Sequence, residues 1–454
     1  MAERSFLDSP VVQKIAFGIF VLGVAFLAFA AGTVVTWYKL PPFQTMQSAF
    51  RGARAAMDAF ALRDPIHDSN LYVDVVYDGT GVTRHIPEKA ADGLTFYTSG
   101  HVNGAFLIDM DGDVVHEWSL PYSEVWDESA EVTTPRPDAW SYFRFATLLP
   151  NGDVITTYEC SGTTPYGCGL VKLDKDSNVV WKYLRRTHHD VARAPDGRVL
   201  TLTHWIEGDP IDLAPDDSSP PYLIDGVAVL SPDGEELQHI DLVEAFRDTS
   251  FASILKEAPV TGQGDFMHAN AVEYIATSRP EWPAEFKPNS VLISLREVSL
   301  LAVLDLDSEK ITWATRGPWV RQHDPDLLDN GHLLLFDNLG HLGPGGRSRI
   351  LEIDPQTLGI AWSFSASPEE PFDSEVRGEQ ERLSNGNTLI TDSEAGRLLE
   401  VTTDGEVAWE FLNPGRVAEG ARVGVVSSGA RVDPATLTFL EPRAPVAAGP
   451  QPAQ

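Results

Sequence analysis

"RTHHDVARAPDGRVL" (residues 186–200) and "VRQHDPDLLDNGHLL" (residues 320–334) are two copies of one pattern. In each, a His-Asp pair stands seven residues before an Asp-Gly or Asn-Gly dipeptide, after which strand-like alternation resumes. Asn-Gly and Asp-Gly between alternating strands are the strongest short hairpin signal, because both turn residues need positive φ. The same hairpin recurs as "LLPNGDVI" (148–155) and "RLSNGNTLI" (382–390).

Between these hairpins lies a second recurring unit, an apolar strand, a D-x-x-G/S turn and a closing tryptophan. It ends at Trp118, Trp181, Trp313, Trp362 and Trp409, with a degenerate copy in "GVAVLSPDGEELQHI" (226–240). Two hairpins and four strands per unit, with six units across 93–432, predict an all-β fold, a six-bladed β-propeller. About 57 residues per unit exceed the roughly 40–45 of a minimal blade, and the surplus falls in 207–222, 246–264 and 276–290. Loops of that size are expected to collect at one mouth of the channel. The tryptophans read as blade-core residues.

Innermost strands line the channel, so one position repeated in each blade forms a ring. Counting back seven residues from each tight turn yields Arg144, His189, His323 and Gly378. In the unit without a tight turn, the matching strand "DFMHANAVEY" offers His268, and Arg296 lies seven residues after Asn289 on the return strand. Three histidines and one or two arginines on one level are costly to bury unpaired, which points to a site. Asp190 and Asp324 alternate to the other strand face, where they are expected to satisfy backbone groups. His188, His332 and His341 fall outside the count and read as structural.

Imidazoles with arginine allow two chemistries. A metal would be repelled by the guanidinium, whereas a tetrahedral anion takes arginine as a bidentate partner and imidazoles as donors or nucleophile. The anion reading is favoured. Alternatives are a metalloenzyme built on the histidine cluster, and a non-catalytic, membrane-tethered propeller that binds an anionic ligand or scaffolds partners.

The rest of the chain sets the context. A surplus of 66 acidic over 34 basic residues gives a net charge of -32, which disfavours nucleic acid as a partner. Residues 15–38 begin with 23 uncharged residues, enough to span a bilayer. They read as a transmembrane anchor after a short flank, 1–14; Ala28-Phe29-Ala30 also permits a cleaved signal peptide. Residues 41–63 read as an amphipathic helix, whose 43–60 stripe could pair with a second copy. Residues 64–92 are a connector and 433–454 a Pro/Ala-rich tail. Cys160 and Cys168, the only two cysteines, bracket a turn and are spaced for a disulfide, which implies an oxidising compartment.

Over about 140–412, "DFMHANAVEY", "SVLISLREVSLLAVLDLDSEKITWATRGPW", "RQHDPDLLDNGHLLLFDN" and "LSNGNTLITDSEAGRLLEVTTDGEVAWEF" resemble the arylsulfotransferase family. That resemblance implies a periplasmic six-bladed propeller, independent of the nucleotide sulfate donor, that passes a sulfuryl group between phenols through a sulfohistidine. By the resemblance His323 is the nucleophile, His268, Arg296 and His189 hold the sulfuryl oxygens, and Asn270 and Thr388 are nearby polar contacts. Arg144 joins them from the repeat count. Phe266 and Trp319 could flank an aromatic ring, or equally pack in blade cores. The chain departs from the family pattern by about ten residues inserted between His268 and Arg296, and by its N-terminal anchor and stalk. No metal or organic cofactor is required; the small-molecule partners are an aryl sulfate donor and a phenolic acceptor. A bacterial inner-membrane protein with its soluble domain in the periplasm is the expected location.

Overall fold

The computed structural model describes residues 10–38, 40–41, 43, 64–259 and 264–440. Two units separate at Arg63 and Asp64. The first contains a 28-residue helix, Pro10–Trp37, long and apolar enough to cross a membrane from Val12 to Trp37. A membrane anchor and a signal sequence both fit that description. The expected amphipathic helix of 41–63, and with it the oligomer contact of 43–60, lies outside the described residues.

The second unit is a six-bladed β-propeller. Its innermost strands are Val426–Val432, Ser141–Leu148, Thr187–Arg193, Ala269–Ile275, His323–Leu327 and Glu379–Arg382, numbered here as blades 1 to 6. Each opens an antiparallel sheet of at least four strands, and each packs on the next around the ring. Closure comes from the chain ends: Val426–Val432 pairs with Leu94–Ser99, so the last strand completes the first blade. The connector is part of this unit, because Gly81–His85 adds a fifth strand to blade 6 along Val407–Leu412. Tyr72–Asp74 joins a small sheet with Arg422–Gly424. Residues 433–440 likewise pack on the body, with Leu437 buried in the core shared by blades 1 and 2.

The tight turns sit where the hairpin dipeptides stand, with Gly152, Gly197, Gly331 and Gly386 at φ of 88°, 89°, 89° and 90°. Trp118 and Trp409 are fully buried in blade cores. The long loops do not all share one mouth. The strand Ala269–Ile275 leads away from His268, and Ser290 pairs with Ile275. Residues 276–289 therefore turn at the far end, opposite 207–221.

Five of the six inner strands carry a register shift: at Arg144, at His189–Asp190, at Asn270, at Asp324–Pro325 and at Ser427. A β-bulge re-aims side chains and interrupts the ladder. Each inner strand is also the open edge of its sheet, and its edge groups are bonded across blades. Val272 N donates to Asp190 Oδ2 (2.8 Å), Leu327 N to Glu273 Oε2 (3.0 Å) and Gln380 N to Asp324 Oδ2 (3.0 Å). Gly429 N donates to Glu379 Oε2 (3.3 Å), and Arg144 Nη1 to Ser427 O (3.0 Å). The acids after the two repeated histidines are thus stitches between blades.

Burial, reinforced by the charge of Asp190, pushes the Asp324 carboxyl up to about 8, and burial does the same for Glu273. Folding therefore takes up protons there, and stability is lost as pH rises toward 8. Burial also holds His189, His204 and His323 well below the ordinary value, which contributes stability that is complete above about pH 6.5. Thermal unfolding followed by circular dichroism should show Tm falling by about 2 °C or more between pH 6.5, where the histidine contribution is complete, and pH 8.5. Asp324→Asn, which keeps the bonded oxygen, should reduce that fall; a Tm rising steadily to pH 8.5 would contradict the assignment.

Candidate active site

The bulges converge on one cavity in the channel, lined by Arg144, Phe145, His189, Asp190, Asn270, His323, Asp324, Gly378 and Glu379. All four residues found by counting back seven from the turns lie on its wall. In blade 4 the bulge residue is Asn270; His268 stands two residues upstream. Its ring lies 5.2 Å from that of His189, and Arg296 N donates to His268 O at 3.0 Å. The structure therefore brings His189, His268, Asn270, Arg296, His323 and Arg144 to one region. His189 and His268 adopt left-handed backbone, φ 56° and 53°, a strained conformation that surrounding structure must impose.

Three expected contacts lie elsewhere. Phe266 is packed in the core of blades 3 and 4. Trp319 is buried in the core of blades 4 and 5 and donates Nε1–H to Ser299 O at 3.1 Å. Thr388 pairs with Arg382, whereas Thr391 is the residue opposite Glu379 at the cavity, so Thr388 sits three residues along the strand from the site. The aromatic neighbours of the site are instead Phe145, on the cavity wall, and Tyr166, whose ring centroid is 5.6 Å from His189 and 6.0 Å from His268. Tyr166 belongs to the loop closed by the Cys160–Cys168 disulfide (Cα–Cα 5.9 Å), and Cys160 N donates to Tyr166 O at 2.7 Å. An aromatic inside a disulfide-closed turn at a channel mouth was the available signal.

His323 is held in one protonation form by a residue outside the repeat count. Asn338 Nδ2 donates to Ser374 O (2.6 Å) and Arg377 O (2.7 Å), using both amide hydrogens. Its Oδ1 can then only accept, and it lies 2.8 Å from His323 Nδ1. The ring proton is therefore on Nδ1 and Nε2 carries the lone pair. That Nε2 is buried without a protein partner. Burial, then the Arg296 and Arg144 charges, hold His323 well below the ordinary histidine value against the opposing bond to Asn338. The neutral imidazole is the resident species at neutral pH.

His268 is the opposite case. Its Nδ1 lies 2.5 Å from Asp265 Oδ2. Burial lowers its pKa, but the Asp265 carboxylate outweighs burial and holds the ring above the ordinary value. Arg296 is paired through Nη1 with Glu297 Oε1 at 2.5 Å, and Glu297 is shared with Arg321 at 3.0 Å. Arg296 Nε, Asn270 Oδ1 and the Tyr166 hydroxyl are buried without protein partners. Such groups are rare in folded proteins and call for an explanation. An imidazole whose charged form Asp265 favours and a guanidinium, flanking a bare imidazole nitrogen, can bind an oxyanion and attack its centre.

A cation is a poorer fit. Among the described residues, the histidine-carboxylate group with ligand atoms all within 4.8 Å is His188, His204 and Asp225, not the channel imidazoles. Gly167 N donates to His204 Nε2 at 3.1 Å, which puts the ring proton on Nδ1, the atom a metal would need bare.

A family model described as Arylsulfotransferase (ASST) matches residues 146–414. No curated protein matches the chain. Similar solved structures include a protein of unknown function from Bacteroides caccae, at 13% identity over 74% of this chain and 98% of that one, TM-score 0.47. A streptogramin B lyase matches at 13% over 79% and 95%, TM-score 0.40. A virginiamycin B lyase from Staphylococcus aureus matches at 12% over 79% and 98%, TM-score 0.38.

Long-range 1H–15N spectra should show His323 as the Nδ1–H tautomer, unprotonated at pH 6.5. Asn338→Leu should yield a mixture of tautomers; a single unchanged tautomer in that variant would contradict the fixing role of Asn338.

Proposed function

The chain belongs to the arylsulfotransferase family, whose match spans more than half of it, and from that premise we propose that it transfers a sulfuryl group from an aryl sulfate to a phenol in two displacements at His323. The observation that carries this reading is the unpartnered Nε2 of His323, kept bare by the Asn338 bond on the other ring nitrogen. A neutral imidazole of that kind is competent to attack sulfur, and a covalent sulfohistidine divides one transfer into two steps. Arg296 Nε and His268, whose charged form Asp265 favours, meet the charge on the sulfuryl oxygens, the preorganised electrostatics that usually contribute most. Asn270 and Arg144 complete the polar wall, and Phe145 and Tyr166 flank the ring of the phenol. Cys160–Cys168 and the N-terminal apolar helix support a location in the periplasm, tethered to the inner membrane or delivered by a signal sequence.

Mixed with excess nitrophenyl sulfate and a phenol, the protein should release a burst of nitrophenol and then turn over. His323→Asn should abolish the burst and reduce turnover at least about 10³-fold. Arg296→Lys should lose about 10²–10³-fold in kcat, as when a fixed oxyanion donor is removed. Undiminished turnover in His323→Asn would refute the nucleophile assignment, and retention of a stoichiometric transition metal needed for activity would favour a metalloenzyme instead.

A further inference from the structure

Behind His189, on the side away from the cavity, a second set of buried groups has no part in the account so far. His188 Nδ1 lies 2.8 Å from His189 Nδ1, and His188 Nε2 faces Asp225 Oδ1 at 3.4 Å, an ion-pair distance at which neither atom has a hydrogen-bond partner among the described residues. His188 and Asp225 are at most 1% exposed. Asp225 is fixed from its other oxygen, which accepts the Ala269 amide at 2.9 Å. His204, stacked on His188 at 4.2 Å between ring centroids, turns its Nδ1–H into the same cluster because Gly167 occupies Nε2.

The protonation pattern follows from what each atom can do. A carboxylate only accepts, so a neutral His188 carries its proton on Nε2, toward Asp225. Its Nδ1 is then an acceptor, and the proton shared with His189 belongs to His189 Nδ1. His189 is left with a bare Nε2 for the cavity that it lines. His189 thus meets the cavity as a proton acceptor, and a neutral ring in that state cannot donate to a sulfuryl oxygen.

The blade order says what it accepts from. His323 stands in blade 5, His268 in the adjacent blade 4 and His189 in blade 3. In-line displacement at sulfur puts the entering or leaving phenol oxygen opposite His323. His268 is one sixth of a turn from the nucleophile and flanks it. His189 is one third of a turn away, nearer the far wall.

Building on the transferase reading, we propose that Asp225 and His188 relay the phenolic proton that His189 exchanges with substrate. In the second half-reaction the acceptor O–H bond breaks and His189 Nε2–H forms, while the proton on His189 Nδ1 moves to His188 Nδ1. The acceptor oxygen bonds to sulfur, the S–N bond to His323 breaks, and its electron pair returns to Nε2. The first half-reaction runs the same steps in reverse: the free enzyme takes one proton from solvent onto His188, passes it through His189 Nε2 to the departing phenolate, and so reaches the neutral relay from which the second half-reaction begins. Each cycle then returns that proton to His188 and needs no co-reactant. The relay has an electrostatic reason. A proton kept on His189 is disfavoured by burial and then repelled by Arg144 and the neighbouring imidazoles. On His188, whose ring centroid is 5.1 Å further back, it faces the Asp225 carboxylate. His188 and Asp225 are positioning residues, acting through His189.

The test loads His323 from nitrophenyl sulfate and measures transfer to phenols of graded acidity. Asp225→Asn and His188→Gln should each slow transfer to phenol itself about 100-fold. Transfer to a halogenated phenol already ionised at the assay pH should fall less than about threefold, because that acceptor has no proton to give. The solvent deuterium isotope effect on transfer to phenol, expected in the unaltered protein, should shrink in both variants. Two variants guard against a folding defect in one, which circular dichroism would report. If the His323 adduct forms and the loss is equal across all acceptors, or absent, the relay is wrong while the transferase reading stands. If no adduct forms in the unaltered protein, both fail. A transition metal held one-to-one and released by His204→Ala would also overturn the relay, by assigning the cluster to a cation.

Discussion

The site depends on a β-bulge repeated in the inner strands of successive blades. A regular ladder would send alternate side chains into the neighbouring blades, leaving the channel with whatever the pleat supplied. Bulges at Arg144, at His189–Asp190, at Asn270 and at Asp324–Pro325 instead aim polar groups inward at one height. The inner strands are also sheet edges, and their open amides are bonded by carboxylates reaching across from the neighbouring blade. Two of those acids, Asp190 and Asp324, stand at the bulges themselves, next to the site histidines. Blade 6 has no bulge, and there Gly378, at φ 135°, lies against the Phe336 ring with no room for a side chain.

Within that frame, protonation is divided by placement of single carboxylates. Asp265 beside His268 favours its charged form, whereas burial and the Arg296 and Arg144 charges keep His323, with Asn338 as its partner, neutral. Groups of one kind driven in opposite directions mark acid, base and nucleophile roles. An oxyanion between them meets positive charge from His268 and Arg296, and a lone pair from His323. The strongly acidic exterior does not prevent this, because the local field is set by buried groups within a few ångströms.

Much of the fold and part of the site were legible in the chain. The distance from an Asn-Gly or Asp-Gly turn to the channel is one strand long, so counting seven residues measured a real length and found Arg144, His189, His323 and Gly378. The count failed where the strand had no tight turn: in blade 4 the level is occupied by Asn270, and His268 reaches the site from the preceding segment. Asn338, Tyr166 and Asp225 were invisible because none repeats; each is defined by a partner distant in sequence. Phe266 and Trp319 are close to site histidines along the chain, but both stand in the segments that precede the inner strands and pack into blade cores. His188 looked structural beside its neighbour, yet the two-residue bulge lets adjacent histidines hydrogen-bond to each other rather than point to opposite faces.

The most direct measurement of the central claim is mass spectrometry of the protein quenched within the first turnover with an aryl sulfate and no acceptor. The account predicts one added sulfuryl group, located on the peptide that carries His323 and discharged when a phenol is supplied. Full transfer activity with no such adduct, or an adduct confined to His189 or His268, would contradict it.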